Sequence, residues 1–371
     1  MQFTDVLAGP LDVIRSARIP ARRDPVRIGI WGAPLGLLAV AAVVRHALLL
    51  GAAGTTWPAF LTLAVVIAGG LALDAAGLFR LLARLVTPAA ASTRLAAVGA
   101  LGLTALLSGL VNLDVAVVVA VPVTLAVARE RGLPAGSMAV AAAPTANATS
   151  FLLPTSNLTT LLVLGRAPLG AWAYFHESWL AWVLVAVPTV AGLSALAHAG
   201  RRAGTPGPAE GTRASSAPAR QSGPRRTEGR AATGPDRPAG PGQAAFALLD
   251  LLPMFLAAVA IRALLGGGVS LGGGWLEGLG VASGLAATAS NLPAAAALVV
   301  AGGSSGWAAV LGLAIGPNLL LTGSVASLIS RRIARDHGVA FGTLRFSLLG
   351  AAMLPLQMAL AVAGLRLTGA I

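Results

Sequence analysis

The chain contains no cysteine. Disulfides, thiolate metal ligands and a cysteine nucleophile are therefore excluded. It contains no lysine either, so all of its fixed positive charge is arginine. A phosphate-binding G-x-x-x-x-G-K-[ST] loop is absent with it, and any ATPase serving this chain is a separate subunit. Charge as a whole is scarce: 11% of the 371 residues are charged, against about 25% in an ordinary soluble domain. Leu, Ala, Val and Gly fill the space. The chain is 56% hydrophobic, and several runs reach the roughly 20 residues that a helix needs to cross a bilayer. This composition predicts an all-α polytopic protein of the inner (plasma) membrane, in contact with lipid on its outside. A net charge of +13 would suggest nucleic acid in a soluble protein. Here the arginines fall between apolar runs, which is a topology signal and not a nucleic-acid footprint.

Taken in order, residues 1–27 carry Arg15, Arg18, Arg22, Arg23 and Arg27 and are expected to be a basic cytoplasmic segment, too charged for a simple signal peptide. Residues 28–50 and 57–79 each fit one span. The run 95–128 is too long for one span and too short for two. Arg94 precedes it, and Arg129 and Arg131 follow it, which puts both ends on the cytoplasmic side. A re-entrant helical hairpin satisfies both facts, with its middle at Gly109 to Asp114. Residues 138–164 form a span interrupted by "PTANATSFLLPTSNLTT" (144–160), and 179–199 form the next. Residues 200–243 are rich in Pro, Gly, Ser and Arg and lack large apolar side chains, so they are expected to be a disordered cytoplasmic linker. A span at 244–265 follows. The run 275–302, centred on "TASNLPAAAA", is a second hairpin. Residues 307–330 are a span broken by "IGPNLLLTGSVAS", and 341–367 are the last span. The sum is about seven full spans plus two hairpins. With the N-terminus inside, the arginine clusters at 80–94, 129–131, 201–237 and 331–335 all face the cytoplasm.

The two halves match. Each has a hairpin with Asn near its middle, then an interrupted span, then a further span, and the two enter from opposite sides. Such inverted repeats with discontinuous helices are the architecture of many secondary transporters. Backbone that leaves helical geometry inside lipid is tolerated only where it lines a cavity or is buried in protein.

The stretches "GLALDAAGLFRLLARL", "NLDVAVVVAVPV", "PTSNLTTLL", "SNLPAAAALV" and "IGPNLLLTGSVASLI" together resemble the arsenite/antimonite efflux permeases. These belong to the ion transporter superfamily, with sodium/proton antiporters and sodium-coupled divalent-anion symporters. The resemblance covers 57–199 and 244–367. It implies a scaffold part and a transport part, an elevator motion between them, and a homodimer. Two features depart from the pattern: the linker stands where the family has further scaffold spans, and the hairpin tips lack the symporters' Ser-Asn-Thr.

Asp114 is the only carboxylate in its apolar run. A charge at membrane depth costs about 2.5–3.5 kcal/mol on insertion scales and by default marks an ion or proton path. It is the candidate for proton coupling. Candidate substrate or ion ligands are Asn112, Asp114, Thr155, Ser156, Asn157, Ser290, Asn291, Asn318, Thr322, Gly323 and Ser324. Pro154, Pro293, Pro317, Gly316 and Gly323 also serve to break helices. Asp74 matches the family's acidic position, and Asp250 lies near the interface. Trp57, Trp172, Trp179, Trp275 and Trp307 are expected in an outer aromatic belt. The histidines have no metal-ligand spacing, and no cofactor is expected.

The leading expectation is a permease that exports trivalent arsenic or antimony, driven by the proton-motive force. Without thiolates, the substrate would be a hydroxide held by hydrogen bonds. The alternative on the same scaffold is a sodium/proton antiporter or a sodium-coupled carboxylate or sulfate transporter; in each case the partner is a small ion. A membrane enzyme or a non-transporting assembly protein is the reading from another class. No nucleophile–base constellation supports an enzyme.

Overall fold

Residues whose runs fit neither one span nor two form paired helices. The computed structural model describes residues 25–77, 81, 84, 92–164, 170–203, 241–266, 269–271, 274–299 and 304–371. The basic segment up to residue 24, the linker over 204–240 and the side chains of Asp74 and Asp250 lie outside the described residues.

Helix α1 spans Pro25–Val44 and α2 spans His46–Ala75, with Arg45 between them. Helix α2 continues through 51–56, where the composition suggests a connection. The Thr55 and Thr56 hydroxyls donate back to the carbonyls of Gly51 (3.1 Å) and Ala52 (2.7 Å), so the small polar residues stay inside the helix. Helices α3 (Thr93–Leu110) and α4 (Leu113–Glu130) lie side by side across a two-residue turn. Ser92 caps α3 by accepting from the Leu95 amide, and Asn112 caps α4. Helices α5 (Ala135–Ala148) and α6 (Leu158–Leu164) are separated by non-helical chain, and α7 (Ala171–Ala203) follows.

The second half begins with α8 (Pro241–Leu265). Helices α9 (Trp275–Ala289) and α10 (Asn291–Ala297) meet at Ser290. Helices α11 (Ser304–Ile315) and α12 (Val325–Asp336) again flank a break, and α13 (Thr343–Leu367) ends the chain. A two-residue parallel ladder joins β1 (Val269–Ser270) to β2 (Leu298–Val299). Among the described residues, three helices are long and apolar enough to cross a membrane: Thr93–Leu110, Ala171–Ala199 and Thr343–Leu367.

In lipid there is little hydrophobic drive between helices, so association rests on close packing of small residues. Helices α1, α2 and α8 share their own small core of Ala41, Ala52, Val259, Ala260 and Ala263. Phe60 and Phe255 meet edge to face at 5.3 Å between α2 and α8. This trio leans on the rest of the molecule through α2 against α4 and α6, and α8 against α10. Helices α7 and α13 run antiparallel: Gly364 sits against the backbone of Ala181, Gln357 donates to Thr189 (3.0 Å), and Gly192 faces Met353.

Candidate functional site

The site grows out of two interruptions. Pro154 has no amide hydrogen and forces Leu153 into extended geometry, so the chain after α5 cannot continue as helix. After α11 the chain tightens into a 3-10 turn over Gly316–Leu319, where Pro317 lacks the amide that a continuing α-helix would use. Both breaks span nine residues, 149–157 and 316–324. Each holds a 3-10 turn in the same place, Pro154–Ser156 and Leu321–Gly323. The residue before the turn is extended in both: Leu153 at φ −119°, ψ 155° and Leu320 at −131°, 140°. The capping residues after it are nearly identical, Asn157 at −146°, 132° and Ser324 at −141°, 138°.

The linings differ. Carbonyls released by the first break find donors on one face of α7, at positions four apart. Tyr174 donates to Phe151 O (3.0 Å), Ser178 to Leu152 O (2.8 Å) and the Trp182 indole to Thr149 O (2.8 Å). Asn112, from the tip between α3 and α4, donates to Thr155 O (3.1 Å). Against the second break, α13 presents Gly350, and the carbonyl of Asn318 occupies the space where a Cβ would stand. The donors at this end of the chain go elsewhere: Arg345 to Ser137, Gln357 to Thr189 and Thr368 to the carbonyl of Glu177.

Two amides tie the breaks together. Asn147 Nδ2 donates to Asn318 Oδ1 (3.0 Å) and to Ser327 Oγ (3.0 Å), and Asn318 Nδ2 donates to Pro144 O (3.2 Å). Neither Asn147 nor Ser327 stood among the expected ligands. The only sequence signal was an amide inside an Ala-rich helix just before Pro154.

Many of the expected ligands are consumed by the scaffold itself. Asn112 Oδ1 accepts from the Asp114 amide (2.9 Å) while its Nδ2 holds Thr155. Ser156 donates to Leu153 O (2.6 Å). Asn157 caps α6 through the Thr159 amide (3.1 Å) and reaches Ser150 (3.0 Å). Gly323 must be glycine, because a Cβ would meet the backbone of Pro317 at 2.8 Å. Thr322 is exposed and makes no hydrogen bond to the others. Asp114, half-buried, occupies the first turn of α4. Asn291 is buried at the start of α10. By position the partner of Asn112 is Ser290, the capping residue of the other tip, and not Asn291.

Four buried side-chain oxygens around the breaks have no hydrogen-bond partner: Asn147 Oδ1, Thr159 Oγ1, Ser290 Oγ and Ser324 Oγ. Ser290 has φ 71°, ψ 146°, a conformation that costs a non-glycine residue about 1–3 kcal/mol and that clusters at functional sites. The arm α9 packs against the second break, with Ser283 beside Gly316, and α10 packs against α6. Each tip packs beside a break, and among the described residues Asp114 is the one carboxylate on the two tips.

One expectation is corrected outright. Trp307 is 2% exposed and does not belong to an aromatic belt. Its indole donates to Glu177 Oε2 (2.7 Å), and its ring lies 4.7 Å from that of Tyr174.

The citrate transporter family (CitMHS) matches the chain over residues 28–363. No curated protein and no solved structure gives a match.

Proposed function

The chain belongs to the citrate transporter family, and from that premise we propose that it is a proton-coupled secondary transporter of small carboxylic acids. The observation that carries this reading is the pair of breaks with one backbone skeleton, joined by Asn147 and Asn318. Two such interruptions, each followed by a short helix and then by a long one, favour an inverted repeat with re-entrant hairpins at 95–128 and 275–302. The N-termini of α4 and α12 open onto the same centre, and each supplies about half a positive charge to an anion. The hydrogen bonds seen between the breaks are made by amides, a hydroxyl and a backbone carbonyl. A carboxylate there is balanced by helix ends and by protons.

Asp114 supplies the coupling. Ionised, it opposes an anion at the N-terminus of α4; protonated, it does not. Proton and acid therefore cross together. The trio α1, α2 and α8 is the scaffold, and the remaining helices are the body that moves against it as an elevator. The N-terminus and the 200–243 linker are cytoplasmic in the inner membrane, and two copies pair through their scaffolds.

Export of arsenite or antimonite is the second reading. The lining of neutral hydroxyls and amides favours it, since a neutral hydroxide needs hydrogen bonds and no counter-charge. Radiolabelled citrate in proteoliposomes separates the two. Accumulation driven by an inward proton gradient is expected. Absent accumulation, with arsenite resistance conferred on a sensitive host, replaces the carboxylate reading. Accumulation driven by sodium alone overturns proton coupling.

A further inference from the structure

We infer that Asn147 is a substrate ligand whose Oδ1 accepts the proton of a hydroxyl group on the transported acid, and that Asn318 is the residue that positions it. The inference rests on the carboxylate reading above and names a feature of the substrate.

The orientation of both amides is forced. The carbonyl of Pro144 can only accept, so the neighbouring Asn318 group at 3.2 Å is Nδ2. Asn318 Oδ1 must then face Asn147, which meets it with Nδ2 at 3.0 Å. The second Nδ2 hydrogen of Asn147 goes to Ser327 Oγ at 3.0 Å. Both donors of Asn147 are spent, and its Oδ1 has no partner although the residue is 0% exposed. A buried acceptor left unmade is costly, and native structures rarely keep one without a use.

The surroundings point the same way. Ser327 lies in the first turn of α12, three residues after Ser324, whose buried Oγ is also unpartnered. A serine hydroxyl can give or take a hydrogen bond, but Asn147 Oδ1 can only take one. An ionised carboxylate offers acceptors only and leaves Asn147 unsatisfied. An acid that carries a hydroxyl beside its carboxylates satisfies both groups at once. Asn318 spends its oxygen and one amide hydrogen on these bonds and so fixes the direction of Asn147.

Citrate and tricarballylate differ by that one hydroxyl. Binding of each to the purified full-length protein, measured by calorimetry, tests the inference without any variant. Citrate is expected to bind at least about tenfold more tightly. Asn147→Ala should erase the difference between the two acids. Asn318→Ala should shrink the ratio between the acids, which a residue that only supports the fold would not do. Equal affinity of the wild-type protein for the two acids, as a bound water on Asn147 would produce, overturns the inference and leaves the carboxylate reading standing. Binding of neither acid overturns both.

Discussion

The break at 149–157 and the break at 316–324 have the same length, the same turn and the same capping geometry, yet they are finished differently. The first is sewn to α7 by Tyr174, Ser178 and Trp182. The second lies against a glycine of α13, and its capping serine keeps a free hydroxyl. The backbone path is the same and the side chains around it are not: three donors hold the first break, while Ser324 beside the second keeps an unpartnered hydroxyl, which suits the ligand role proposed above. The tips divide in the same way. The first carries the only carboxylate, and the second carries a strained serine.

The largest test of this division is Asp114→Asn. The amide keeps the shape and an acceptor but cannot ionise, so gradient-driven accumulation should vanish while the protein melts as wild type does. Full activity would remove Asp114 from coupling. Next comes Gly350→Ala, which forces a Cβ onto the Asn318 carbonyl. A cost of about 1–3 kcal/mol is expected, read as a lower melting temperature. Gly192→Ala is its control on α7, because there a Cβ would meet only the Met353 methyl at 3.8 Å. Trp182→Phe leaves the Thr149 carbonyl without its side-chain donor and should cost about 1–2 kcal/mol in stability. Substrate affinity should hardly change; a large loss of affinity would show that the first break binds ligand too. The smallest effect is Ser290→Gly. Release of backbone strain should raise stability by about 1 kcal/mol while the missing hydroxyl weakens substrate binding, two opposite shifts in one melting and binding experiment.

The two interruptions at 149–157 and 316–324 were legible, because Pro, Asn, Ser and Thr inside an apolar run have few other uses. The turn at 111–112 and the one at Ser290 both fall inside stretches that the sequence singles out. The identity of the polar partners was not legible. Asn147 and Asn318 are 171 positions apart, and only packing brings them together. The three donors on α7 look like ordinary residues of a span, with Trp182 no different from a lipid-facing tryptophan. Trp307 misled for the same reason: hydropathy cannot tell a tryptophan facing headgroups from one that has found Glu177. The segment at 51–56 misled because its small polar residues satisfy themselves within the helix.

The seam between α7 and α13 has a mechanical consequence. Gly364 is a notch that receives the backbone of Ala181, and the Gln357–Thr189 bond is a pin set two turns away. A notched and pinned joint cannot slide: one helical turn, about 5.4 Å, would drive a side chain into the space that only glycine leaves. Each helix carries its own break, so the two breaks are keyed to one shaft. A bulkier residue at the notch would act as a shim, shifting both breaks at once and in opposite directions.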